Sequence, residues 1–394
     1  MAEISTRYLI IGGGMAADAA VRGIRTNDPD GSIVMVSQED VPPYNRPPLS
    51  KKLWTQQMKP ELIWRGTDKF NVELHLGRNI TALEPASNTC IDDQGNRYHY
   101  EKLLLATGGS PIKLKENTGK TIYYRTYADY RHLRELADQK ETFAVIGGGY
   151  IGSEIAAALA MQGKQVSMVF PEEGICARLL PAAMSHQINE MYTEKGVKVH
   201  AGHLVSSLES QGDKAVITTN QGLVIEADAV VAGLGIRPNT TLAEAAGIRV
   251  EDGILVDPSL QTSHPGIYAA GDVIRFYNPA LKRTIRVEHE ENANLSGQLA
   301  GSAMAGKAVS YTHLPFAYSD LFELGFEMVG IIDSRLSLVG DWQDPYRTGV
   351  VYYYEGTRIV GVLLVNMWGR IDQARTLIAS DQQPSPADVR GYIS

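Results

Sequence analysis

A strand–glycine turn–helix pattern that occurs twice constrains this chain more than any other feature. Tyr8–Ile11 is a short apolar run of the kind that forms a buried parallel strand. Gly12-Gly13-Gly14 follows, then the alanine-rich stretch Met15–Arg25, and Ser32–Ser37 reads as a second strand. The same order returns 135 residues later: Phe143–Ile146 as strand, Gly147-Gly148-Gly149 as turn, Tyr150–Met161 as helix and Gln165–Phe170 as strand. Each is a βαβ opening, and small residues on the helix suit close packing against a sheet. A repeat at this spacing is domain-sized and too long for a solenoid. With 394 residues the chain has room for two or three domains, so two dinucleotide-binding domains are the expected core of the architecture.

Further along, Lys102–Gly109 and Ala229–Gly235 are apolar strands running into glycine, each expected to close one sheet. Gly266–Asp272 is another strand, ending in Gly-Asp, with a helix expected from about Glu288 to Met304. The last stretch changes character. Gly349–Tyr354, the turn Glu355-Gly356 and Ile359–Val365 read as a β-hairpin, followed by a helix from about Trp368 to Ala379 and a loose tail at Pro384, Ser385 and Pro386.

Composition excludes several function classes. Lys and Arg total 37 against 45 Asp and Glu, a net charge of −8, which disfavours a dedicated nucleic-acid binder. The two cysteines, Cys90 and Cys176, form no close pair, so a disulfide scaffold, a zinc cluster and a dithiol centre are all disfavoured. The longest apolar runs, such as Ile155–Met161, fall far short of a membrane span, and the first strand starts almost at the N-terminus. A cytoplasmic protein is expected.

Gly12-x-Gly14-x-x-Ala17 lies between a strand and a helix, the context in which such a motif is informative. Glycine lets the backbone approach a pyrophosphate, and the helix N-terminus adds unpaired N–H groups and partial positive charge. The matching ribose carboxylate is expected at Glu39, beside Gln38. Gly147-x-Gly149-x-x-Gly152 is the fuller match, and Glu172 stands 20 residues beyond Gly152, where an acid binds a ribose 2′-hydroxyl. A 2′-phosphate about 4 Å from that acid meets a repulsion of about 4 kcal/mol before screening. NADH is therefore expected over NADPH, with Arg178 nearby to soften the preference. Pro43-Tyr44-Asn45-Arg46-Pro47-Pro48-Leu49-Ser50-Lys51 is held extended by its prolines and offers Arg46 and Lys51 as fixed cations.

Taken together, Gly12–Ala17, Pro43–Lys51, Ala106-Thr107-Gly108, Arg125, Gly147–Glu154, Phe170-Pro171-Glu172, Ala270-Gly271-Asp272 and Glu288-His289 resemble the FAD-dependent pyridine-nucleotide reductases, in the branch of ferredoxin reductases and apoptosis-inducing factor. Gly147–Glu154, Phe-Pro-Glu, Arg286-Val287-Glu288-His289, Tyr318-Ser319-Asp320-Leu321 and the C-terminal hairpin look nearer to apoptosis-inducing factor. The resemblance implies an α/β chain with two Rossmann-like domains of the glutathione-reductase type plus a small α+β C-terminal domain. Its limits would be an FAD domain at 1–117 and 248–318, an NADH domain at 118–247 and a third domain at 319–394.

The resemblance also implies roles for single residues. FAD would be held by Gly12, Gly14, Met15, Ala16, Ala17, Gln38, Glu39, Arg46, Lys51, Ile80, Thr107, Gly108, Arg125, Gly271, Asp272, Glu288, His289 and Tyr318. Arg46 and Arg125 would serve its adenine side, Asp272 its ribityl hydroxyls. NADH would be held by Gly147, Gly149, Tyr150, Ile151, Gly152, Glu154, Glu172, Arg178, Gly235, Glu288 and Glu327. Lys51 would lie near flavin N5 with Glu154 paired to it across the domains; the other reading of Glu154 is an exposed glutamate on a helix. His289 is open between a helix start aimed at the flavin and a surface histidine satisfied by its neighbours. Some positions depart from the family's pattern. Gln38 stands where relatives have an acid, Tyr150 holds the shielding aromatic position where apoptosis-inducing factor has Phe, and Tyr318 replaces the usual Trp.

Disulfide reductases of this fold need a cysteine pair within the segment Asp40–Leu53, and single-cysteine peroxidases need one; the segment has none. The function implied is hydride transfer from NADH to FAD and onward to an external acceptor such as a quinone or dye, with a charge-transfer intermediate. One alternative is a ferredoxin or rubredoxin reductase feeding an iron–sulfur partner, docked near Lys282, Arg283 and Arg286. The other is a redox-gated interaction protein that dimerises when NADH reduces it.

Overall fold

The apolar run Tyr8–Ile11 is the buried end of a longer strand, Glu3–Ile11, whose first half alternates toward solvent. That half is held because Glu3–Thr6 pair in parallel with Arg97–Tyr100, so the strand is set by a partner distant in sequence. The structure, a computed structural model, describes residues 1–115 and 120–393. Two units are distinguished. The first comprises Met1–Asn45, Glu61–Ser110 and Arg237–Phe316; the second comprises Arg46–Pro60, Pro111–Ile236 and Ala317–Ser394. The boundary expected at 117/118 lies outside the described residues.

In the first unit, the strands Glu73–His75, Ile33–Val36, Glu3–Ile11 and Arg97–Leu105 lie side by side in parallel. Arg97–Leu105 is shared on its far edge: its start pairs antiparallel with Thr89–Asp92, its end parallel with Ile267–Ala269. The expected closing strand is thus interior, because its nine residues are long enough to serve two neighbours. The helix Met15–Asn27 runs against the helix Glu290–Met304 at almost bare backbone. A Cβ added at Gly297 would stand 2.3 Å from the Ala16 carbonyl oxygen, and one at Gly301 2.1 Å from that of Ala20. The core is filled by residues such as Leu9, Ile10, Val34, Met35, Leu104 and Ala269.

The second unit repeats the arrangement. Its sheet is ordered Lys198–Ala201, Gln165–Phe170, Thr142–Ile146, Ala229–Ala232, Thr121–Tyr123, all parallel, and Ala229–Ala232 is again interior. The helix Tyr150–Met161 and the strand Gln165–Phe170 take the limits their sequence suggested. Val205–Gln211, Lys214–Thr219 and Val224–Ala227 form a separate antiparallel sheet. The C-terminal stretch forms a five-stranded antiparallel sheet, in the order Phe316–Leu321, Leu324–Gly330, Arg358–Val365, Thr348–Glu355, Ser337–Asp344, with the helix Ile371–Ala379. The tail is not loose. Val389 and Ile393 are buried, the Ile393 amide donates to the Tyr352 hydroxyl, and the Tyr354 hydroxyl donates to the Pro384 carbonyl. Apolar anchors beyond the prolines outweigh the local turn signal.

Candidate functional site

The first glycine turn owes its shape to two contacts that only glycine permits. Gly12 has φ +121°, and a Cβ there would sit 2.1 Å from the Ala106 carbonyl oxygen; one on Gly13 would sit 2.2 Å from Ser37 Oγ. Gly14 caps the helix Met15–Asn27, so no cap side chain takes up the N–H groups of its first turn. Met15, Ala16 and Ala17 are buried in that turn. Gly271 packs directly on it: its Cβ position lies 3.0 Å from that of Ala16. Ser296 Oγ accepts from the Gly271 N–H, and Asn292 donates to its carbonyl, so the turn holding Asp272 is tied to the helix Glu290–Met304. His289 caps that helix, and its Nδ1 is buried with no hydrogen-bond partner. Burial, partly offset by Asp272 and Glu291, brings its imidazole down to about 4. It is therefore not a satisfied surface histidine.

Other expected FAD residues in the first unit are more loosely grouped. Gln38 is exposed, and Glu39 accepts from the buried Tyr44 hydroxyl at 2.6 Å. Ile80 is buried at the start of a strand. Thr107 Oγ1 donates to the Asn239 carbonyl, and the Asn239 amides donate to the Thr107 and Gly108 carbonyls. Glu288 is exposed and pairs with Arg286 at 2.7 Å.

In the second unit, Gly147 has φ +112°, and its Cβ would fall 2.3 Å from the Gly233 carbonyl oxygen. Gly152 would place a Cβ 2.1 Å from the Gly147 carbonyl oxygen, and Gly235 has φ +88°. Gly149 differs: it caps the helix Tyr150–Met161 with no side-chain acceptor, and a Cβ there meets nothing within 4 Å. That combination of open space and unclaimed N–H groups fits a pyrophosphate. Glu172, past the end of the strand Gln165–Phe170, pairs at 2.5 Å with Arg178, whose side chain is 81% exposed. Ile151 is exposed, and the Tyr150 hydroxyl is directed at Met328 Sδ, at 2.5 Å. Glu327 Oε2 is buried without a hydrogen-bond partner, and burial pushes its carboxyl up. An orphaned buried oxygen of this kind fits a polar ligand.

Arg46–Pro60 belongs to this second unit. Pro47 and Pro48 open a 3₁₀ turn, where their missing N–H groups are least costly. The Leu49 carbonyl accepts from both the Trp54 indole at 2.8 Å and the Tyr124 hydroxyl at 2.5 Å. Arg46 Nη1 donates to the Arg125 carbonyl at 3.0 Å, placing these two expected FAD contacts together. The turn presents Lys51 to Glu154, on the second turn of the helix Tyr150–Met161, with Nζ 2.6 Å from Oε1 and side chains 12% and 2% exposed. Glu154 is thus a buried ion-pair partner, not an exposed helix residue. Ser50 Oγ donates to its Oε2 at 2.5 Å and Ser319 Oγ to its Oε1 at 2.5 Å. Lys51 Nζ lies 5.2 Å from the Tyr318 ring centroid. Sequence reasoning gave no role to Ser50, Ser319, Trp54, Tyr124 or Asn239. Only Ser50, next to Lys51, carried a local signal.

Both glycine turns thus fit nucleotide phosphates, and the Lys51 segment sets a buried cation on the helix that follows the second of them. A model of the pyridine nucleotide-disulphide oxidoreductase family matches residues 6–297. The chain belongs to that family. It is an oxidoreductase that uses FAD and a pyridine nucleotide. It is 34% identical to a protein named apoptosis-inducing factor 1, mitochondrial, from Dictyostelium discoideum, over 94% of this chain and 78% of that one. It is also 34% identical to the ferredoxin–NAD(+) reductase component of the anthranilate 1,2-dioxygenase system of Burkholderia cepacia, over 96% and 95%. The structure resembles the reductase of the crystallised covalent putidaredoxin reductase–putidaredoxin complex, with a TM-score of 0.90, 28% identity, and 97% and 95% of the two chains covered. The disulphide part of the family's description finds no counterpart between Asp40 and Leu53. Cys90 and Cys176 are buried free thiols, each pushed up by burial, Cys176 to about 12. Among the described residues no helix is long and apolar enough to cross a membrane.

Proposed function

We propose that this chain oxidises NADH and hands the electrons to an external acceptor, in the manner of apoptosis-inducing factor. FAD, when bound, supplies the hydride acceptor at N5 and the store of electrons. The observation that carries this reading is the buried Lys51–Glu154 pair, held by two serines and served by the same helix whose N-terminus opens at Gly149. Its residues bind and orient. Gly12–Ala17, Gly271 and Asp272 hold FAD, Glu172 accepts the ribose hydroxyls of NADH, and Glu327 accepts from the nicotinamide amide. Lys51 holds an ammonium near the reacting ring, while Glu154 keeps it fixed and excludes water.

A second reading, reduction of an iron–sulfur partner, is supported by the likeness to the putidaredoxin reductase structure and to the Burkholderia component. Against it, Arg286 of the expected basic patch is paired with Glu288 and Asp252. Anaerobic NADH titration of the yellow protein, then air, tests the function. A long-wavelength band that survives air with little ferredoxin reduction supports the first reading, rapid turnover with ferredoxin the second, and reduction-dependent dimers without turnover a signalling role. A colourless folded protein that takes up no flavin refutes all three. The same proposal includes the division into 1–117 with 248–318, 118–247 and 319–394, preference for NADH over NADPH, and a cytoplasmic location.

A further inference from the structure

A buried carboxylate can only accept hydrogen bonds while ionised, so each oxygen needs donors. Glu154 Oε1 has two, Lys51 Nζ and Ser319 Oγ; Oε2 has Ser50 Oγ. The two hydroxyls come from positions 104 and 165 residues away along the chain, both are buried, and neither makes another hydrogen bond among the described residues. A carboxylate with a donor on each oxygen cannot rotate without breaking a bond on each side. With Lys51 alone it could turn and take the ammonium with it. Charge-assisted bonds of this kind are roughly twice as strong as neutral ones, which makes the arrangement a stiff one.

We infer that Ser50 and Ser319 are positioning residues that clamp the two oxygens of Glu154 and thereby fix the direction of the Lys51 ammonium. The inference rests on the reading of Lys51 as the cation beside the flavin, and its test has one measurement that needs no flavin. In cofactor-free protein at fixed pH, acylation of Lys51 by an amine reagent, read by peptide mass spectrometry, is expected to speed up at least threefold in Ser50→Ala/Ser319→Ala. In the FAD-loaded protein, the midpoint potential is expected to fall by a tenfold change in the oxidised-to-reduced equilibrium, about 30 mV for two electrons. Flavin reduction by NADH should slow while the NADH concentration at half-saturation stays within twofold. Ser50→Thr and Ser319→Thr, which keep a hydroxyl, should restore the native values.

Serines that merely fill space would shift thermal stability and leave Lys51 reactivity and the potential unchanged, and that result overturns the clamp. If the double variant does not fold, each single Ala variant carries the same readouts. A wild-type protein that binds no FAD would end the proposed function, yet the labelling experiment would still decide the clamp.

Discussion

Gly149→Ala adds one methyl group at the cap of the helix Tyr150–Met161, where φ is −80° and ψ −177°, angles that any residue adopts. Nothing lies within 4 Å of the added atom. Alanine is a poorer cap than glycine by about 0.5–1 kcal/mol, and the less flexible unfolded chain returns about 0.4–1 kcal/mol, so folding stability should change by less than about 1 kcal/mol. The methyl occupies the space assigned to the NADH pyrophosphate. Crowding of that size costs about 1–3 kcal/mol, which is about a 5- to 150-fold rise in the dissociation constant. Gly147→Ala is the contrasting change. At φ +112° with a Cβ 2.3 Å from a backbone oxygen, it should damage the fold itself. Stopped-flow flavin reduction against NADH concentration gives the affinity, and thermal unfolding with flavin content gives the fold. If Gly149→Ala keeps native stability, full flavin and an NADH constant within twofold of wild type, the nucleotide does not lie on this helix end.

Lys51→Ala strips the cation from a buried carboxylate, a change that costs about 3–5 kcal/mol in general and less here because two serines remain. Reduction by NADH should slow, and a native rate would remove Lys51 from the mechanism. Glu172→Ala should raise the NADPH-to-NADH ratio of kcat/KM about tenfold, roughly a third of the unscreened repulsion because the group is partly exposed. An unchanged ratio places the ribose elsewhere. His289, held at about 4 against 6.5 when exposed, is kept neutral by the fold. Its contribution is fully present above pH 6.5 and lost as pH falls toward 4, by at most about 3 kcal/mol. The unfolding temperature of cofactor-free His289→Gln should therefore fall less steeply across that range than the wild type's, and parallel slopes would contradict this.

What could be read from the sequence depended on how local its cause was. The helix Tyr150–Met161 starts where a glycine turn releases it and ends at Gln162-Gly163, so both limits are written in neighbouring residues. The first half of Glu3–Ile11 was illegible because its alternating side chains gain order only from Arg97–Tyr100. The tail was misread for the converse reason: Pro384 and Pro386 speak locally, while Val389 and Ile393 are secured by a distant sheet. The Lys51–Glu154 pair was legible only through resemblance, since no periodicity joins residues 103 positions apart. Ser319 stood in a segment the resemblance singled out, Tyr318–Leu321, but without a role, and its bond to Glu154 came from the fold alone.

The glycines at 297 and 301 have a bearing on how this molecule could be re-engineered. They let two helices from opposite ends of the first unit's sequence touch at their main chains, stitching its first and last stretches along a seam with no tolerance for a side chain. Everything between the stretches is topologically a cassette. A graft that swaps 111–236 for a homologous segment leaves the seam intact, but it must bring its own versions of 46–60 and 317–394, because those pieces fold with the cassette rather than with the frame.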